Sequence, residues 1–217
     1  MMEKFMTIVV PSIPDTLYMV FFSSLFSMVL GIPLALILTV TRPGGLNPKA
    51  KTYQVLDTII NTLRSFPFVI LIMVVYPLST LIVGRSIGPT AAIVPLTVAA
   101  APFVARIMEG VFLEIDDGLI EAARAMGSTN KQIIRKVILP ESLPAMINAM
   151  TMTIINIIGY SAMAGMLGGG GLGEVATRYG HYRNELDVLW MSVLCIILIV
   201  QIVQWVGNRL TMKTNKK

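Results

Sequence analysis

Charged side chains make up only 13% of the 217 residues, about half the share of an ordinary soluble domain, and that scarcity excludes a water-soluble globule. The few charges gather in short segments and leave long uncharged runs, with a mean hydropathy of +0.76, the pattern that spanning helices impose. A single cysteine, Cys195 in an apolar run, excludes an intrachain disulfide, a redox pair and a cysteine metal cluster. One histidine, His181 in a polar stretch, and no paired carboxylates leave neither a catalytic constellation nor a metal site, so the chain does not read as an enzyme. There is no Gly-x-x-x-x-Gly-Lys-Ser/Thr phosphate loop. The glycines at 168–173 fit G-x-G-x-x-G only formally, because they follow a membrane helix and not a strand. The net charge of +5 does not mark a nucleic-acid binder, since the basic residues flank apolar runs and form no patch with interleaved aromatics. Residues 1–14 carry one Lys4 and no small-residue cleavage site, so no removable signal peptide is expected.

What remains is helix for a bilayer, which needs about 20 apolar residues per crossing. Uncharged stretches at 16–41, 65–84, 86–105, 142–173 and 188–208 predict an all-α polytopic protein with five spans, at about 16–41, 58–83, 86–110, 142–167 and 188–209. The whole chain, 1–217, reads as one transmembrane domain. Basic residues are retained on the cytoplasmic side. Arg42, Lys49, Lys51, Arg106, Arg124, Lys131, Arg135, Lys136, Arg209, Lys213, Lys216 and Lys217 lie toward one side, against Lys4, Arg85, Arg178 and Arg183 on the other. This places the N-terminus outside, the C-terminus in the cytoplasm, and Arg64 near the cytoplasmic end of the second span. Trp190 and Trp205 read as interface anchors of the fifth span. Prolines 33, 67, 77, 95 and 102 fall inside spans, where each removes a donor and bends its helix.

The longest charged segment, 114–141, reads as two short amphipathic helices within 117–139. Asp116 or Asp117 can cap the first, whose spacing puts Leu119, Ala122, Ala123 and Met126 on one face, and Gly127 ends it. Thr129 and Gln132 form a capping-box pattern for a second helix at 130–139, terminated by Pro140. Glu121-Ala122-Ala123, Gly127 and Val137-Ile138-Leu139-Pro140 resemble the "EAA" loop of bacterial ABC importer permeases, with Val137 where isoleucine is usual. Likeness extends through Val40-Thr41-Arg42-Pro43-Gly44, Arg64-Ser65-Phe66-Pro67-Phe68, residues 91–98 and Gly159-Tyr160-Ser161-Ala162-Met163. Together these resemble the permease subunits of methionine-uptake ABC importers.

That resemblance implies a type I importer fold in the bacterial cytoplasmic membrane, working as a homodimer that moves methionine by alternating access. It implies two cytoplasmic ABC ATPase subunits that bind ATP and Mg, none being held by this chain, and an extracytoplasmic methionine-binding lipoprotein. Glu121, Ala122, Ala123, Arg124, Gly127, Leu139 and Pro140 would couple to the ATPase, with both alanines seating the helix in its groove. Tyr160, Ser161 and Met163 would lie where the passage narrows, while Ser161, Gly165 and Gly169 form a small-residue face for close packing. Asn148 and Asn156 either bond between helices or face the substrate path. The rival readings are a permease for another amino acid or small solute, and a carrier that needs no ATP; the latter is expected to need a buried acidic or basic residue mid-span, and the sequence suggests none.

Overall fold

A helix satisfies its own backbone amides, and in hydrocarbon nothing else will, so uncharged runs fold as helices wherever they cross. The computed structural model describes residues 2–215, all helix and short connections; Met1, Lys216 and Lys217, the last two counted above for orientation, lie outside the described residues. Eight elements follow in order: α1 (Met2–Thr41), α2 (Ala50–Ser65), α3 (Phe68–Val83), α4 (Pro89–Leu113), α5 (Asp117–Ala125), α6 (Asn130–Gly169), α7 (Gly171–Val175) and α8 (Leu186–Thr214). Four of them, α1, α4, α6 and α8, are long and apolar enough to cross a membrane.

The second span differs from the expected straight helix at 58–83. It is broken into α2 and α3, whose axes differ by 108°. The cause is Pro67, which disfavours helical backbone at the residue before it, and Phe66 is extended at φ −70°, ψ 130°. Arg64 therefore does not mark a cytoplasmic end. It sits beside this corner, which packs against Ala99 and Phe103 of α4 and Tyr160 of α6.

The central element is α4, which α1, α2, α3 and α6 all touch. Gly31 lets α1 approach it so closely that a Cβ there would meet the Val104 side chain at 2.6 Å. Inside the bundle, Arg106 and Glu109 of α4 pair at 2.7 Å, and Arg106 also bonds Asp57 and, at 3.0 Å, Asn61 of α2. Glu109 is only 2% exposed. Topology counting treats Arg106 as a loop cation, and it is instead the tie between two helices. Its i, i+3 spacing from Glu109 is the signal that could have found it.

At the outer end, α6 stops where Leu167 and Gly168 leave helical backbone, Gly168 with φ +88°. Neighbours answer the exposed backbone: Gly88 N–H donates to Gly168 O at 2.9 Å, Tyr76 Oη to Leu167 O at 3.3 Å, and Leu172 N–H to Thr16 Oγ1 at 2.8 Å. Val9, Leu172, Val175, Val188 and Cys195 form a buried cluster that joins the first turns of α1 to α7 and α8. Lys4 adds an exposed ion pair there, 2.8 Å from Glu185.

The close crossings set a testable contrast. A Cβ at Gly207 of α8 would lie 2.2 Å from Thr151 Oγ1, whereas one at Gly110 meets nothing within 4 Å. Gly207→Leu is expected to destabilise the subunit by about 1–3 kcal/mol, and Gly110→Ala to stabilise it by roughly 0.5–1 kcal/mol. Thermal unfolding in detergent would read both, with opposite signs.

Candidate functional site

The segment between α4 and α6 is a helix, a glycine exit and a second helical start, each fixed by a local bond. Asp116 Oδ1 accepts from Gly118 N–H at 2.6 Å and caps α5. Gly127 leaves α5 at φ +81°, with its own N–H on Arg124 O and Ser128 N–H on Ala123 O, so the last carbonyls are satisfied. Thr129 and Gln132 then form a reciprocal capping box at the start of α6.

Pro140 does not end that helix. The turn over Ile134–Ile138 widens, Leu139 N–H reaches Ile134 O, and α6 runs on through the proline into its membrane span. A widened turn ahead of a proline takes up the missing donor, which makes the second short helix and the fourth span one element. Leu139 packs against the adjoining core while Pro140 is exposed.

The faces of α5 also differ from the predicted stripe. Ala123 is 4% exposed and packs with Ile120 into a buried cluster containing Ala35, Met108, Phe112 and Ile138. Leu119, Ala122 and Met126 point outward instead, Met126 being 80% exposed. The two alanines therefore do not seat together in an outside groove: one fuses α5 to the cytoplasmic ends of α1, α4 and α6, and the other is free. A cleft lies between α5 and the 42–46 turn, with Ile120 on its wall. Exposed Glu121 and Arg124 line this cleft of ≈ 310 Å³ beside Arg42. Asn130 Nδ2 donates to Leu46 O at 2.9 Å and closes the turn onto α6.

Higher on α6, Asn148, Met152, Asn156, Gly159, Met163 and Met166 are all exposed along one side at helical spacing. Among the described residues neither asparagine side chain bonds another helix. Exposed amides at such depth suit a wet surface or a second subunit, not lipid. Met163 lies on this stripe. Tyr160 borders it, half-buried and stacked on Phe68 with ring centroids 4.1 Å apart. Ser161 is turned away, 2% exposed, donating to Ile158 O at 2.7 Å. It belongs with Gly165 and Gly169 to the packed face, where a Cβ at Gly165 would meet Glu174 N at 2.5 Å.

The buried ion network gives a prediction. Arg106→Leu leaves Glu109 without its partner inside the bundle, and a loss of about 3 kcal/mol or more is expected from an uncompensated buried charge. Adding Glu109→Gln should recover part of it, as read by thermal unfolding and by yield in detergent.

Known proteins share this arrangement. The family model described as "binding-protein-dependent transport system inner membrane component" matches residues 27–215. A probable D-methionine transport system permease protein MetI of Pasteurella multocida is 48% identical over 196 residues, 90% of each chain. The D-methionine transport system permease protein MetI of Escherichia coli K12 is 52% identical over 165 residues, 76% of each. A chain from inward-facing conformations of the MetNI methionine ABC transporter superposes with a TM-score of 0.97 at 45% identity, covering all of both chains. The spans, the fused loop helix and these matches together place the chain in the family of inner-membrane components of binding-protein-dependent transport systems, as a multi-pass permease whose ATPase is a separate subunit.

Proposed function

We propose that this permease translocates methionine inward across the cytoplasmic membrane as a homodimer, driven by two cytoplasmic ATPases and supplied by an extracytoplasmic methionine-binding lipoprotein. The observation that carries this reading is the likeness over the full length of both chains to a permease from a methionine transporter. It also supports taking the fold described here as the inward-facing form. The stripe on α6 supports a second copy, because exposed Asn148 and Asn156 need a wet or protein neighbour. ATP and Mg would be held by the ATPase subunits alone.

In this mechanism the outward face of α5, with Leu119, Ala122 and Met126, docks on the ATPase while Glu121 and Arg124 set its register. Gly127, Leu139 and Pro140 shape the exit from that helix and its join to α6. ATP binding draws the two ATPases together and pulls on α5. Because Ile120 and Ala123 are packed among residues of α1, α4 and α6, the pull moves the spans as one body and not α5 alone. The two stripes then separate on the outer side, where Met163 and Tyr160 border the passage, and hydrolysis restores the inward form. Each nucleotide state must bind α5 differently, since a ligand shifts an equilibrium only by its differential affinity. A permease of the same design for another amino acid is the remaining alternative.

Two outcomes are expected. Proteoliposomes holding the chain, its ATPase and its binding protein should take up labelled methionine only with ATP, and Gly127→Asp should reduce uptake to background. Uptake of a different solute would replace the substrate, and ATP-independent uptake insensitive to the change would overturn the importer reading. Separately, Ala122→Trp should keep the isolated subunit's stability within about 0.5 kcal/mol yet abolish copurification of the ATPase, whereas Ala123→Trp should destabilise the subunit itself.

A further inference from the structure

The corner between α2 and α3 holds a charge where the membrane tolerates few. It packs against Ala99 and Phe103, which straddle the centre of α4 (Pro89–Leu113), and against Tyr160, near the middle of the uncharged stretch 142–173. Both neighbours put Arg64 near the bilayer midplane. Its side chain makes no hydrogen bond or ion pair among the described residues, and the nearby polar groups of α2, Asp57 and Asn61, are already engaged with Arg106. A guanidinium at this depth does not face lipid; such residues face a water-filled cavity and mark the path of what is carried. The cavity is present. Arg64 lines a hollow of ≈ 120 Å³ with Phe66, Phe68, Phe103 and Tyr160, and no acidic side chain lines it. Tyr160 also borders the exposed stripe of α6, Asn156 lying one turn before it and Met163 one turn after, so Tyr160 is shared by hollow and stripe.

We propose that Arg64 binds the carboxylate of the travelling amino acid at this corner, a transient halfway site, while the aromatic walls take its apolar side chain. The proposal rests on the function proposed above, which supplies the substrate class. Three properties agree with it. Arginine stays charged and presents paired donors that match a carboxylate. The thioether of methionine makes favourable contacts with aromatic rings. The N-terminus of α3 opens at the same corner with no side chain capping it, and half-helices of this kind aim their positive ends at anionic substrate groups in other transporters. A single cation with no resident counter-ion also suits a passage, since it holds an anion without enclosing it.

The test uses the whole complex in proteoliposomes, with methionine and a diazirine analogue of methionine as probes. Wild type should transport methionine, and photolysis during turnover should label the permease at Phe66, Phe68, Phe103 or Tyr160. Arg64→Gln should lower both uptake and labelling by about 10- to 100-fold, the loss expected for one charge-assisted hydrogen-bonded contact, and Arg64→Lys should retain an intermediate level of both. Assembly of each variant complex is checked by size-exclusion chromatography. Transport and labelling of Arg64→Gln at wild-type levels, or labelling confined to other segments, would overturn the halfway site and leave the importer intact. Failure of both variants to assemble would make Arg64 a structural residue and equally overturn it. Wild type that moves another solute and no methionine would instead overturn the function proposed above, and this site with it.

Discussion

Hydrocarbon offers a backbone amide no partner, so every interruption of a spanning helix must be answered from inside the protein. The organisation of this permease follows from how its interruptions are answered. Where α6 ends at Gly168, an amide from the α3–α4 turn and a phenol from α3 each take up a carbonyl, and a hydroxyl from α1 accepts from the start of α7, so a turn and two helices are stitched to this region. Where Pro140 withholds a donor, a widened turn absorbs the loss and the helix continues. At Phe66–Pro67 the chain turns outright, with Phe66 N–H on Leu63 O and Ile70 and Leu71 N–H on Pro67 O, beside the uncommitted charge of Arg64.

The same principle separates rigid from movable parts. The cytoplasmic half is a single packed body, because Ile120, Ala123, Ile133 and Ile138 bring the loop helices into a core shared with α1 and α4. The ion network of Arg106 fixes α2 to that body with directional bonds, whose loss would expose Glu109 to an apolar interior. Along the exposed stripe of α6 there is no such packing, only amides, methionines and one glycine. Flexible thioethers on an unpacked face can close against a like face and part again without a fixed interlock.

Much of this was legible in the sequence where the responsible residues are neighbours in the chain. Asp116, Gly127, Thr129 and Gln132 act across two or three residues, and their bonds appear as the pattern predicts. The glycines at 165 and 169 likewise signal close approach by type alone. Decisions made between distant segments were not legible. Spacing groups Leu119, Ala122, Ala123 and Met126 on one face, but the core beneath α5 takes up Ile120 and Ala123. Charge counting puts Arg106 with the loop cations and Arg64 at a cytoplasmic helix end, since it cannot see that Pro67 folds one span into two or that Asp57 waits across the bundle. Ser161 stands in a motif beside Tyr160 and Met163, yet one helical step of about 100° turns it from the stripe into the core.

The cluster at the outer end ties the beginning of the chain to its end. Val9 and its neighbours on the first helix rest on Val188 and Cys195 of the last. The seat of the first helix is thus completed only when the last one is in place. Contacts so far apart in sequence close slowly, so the outer rim is the last part of this subunit to become rigid.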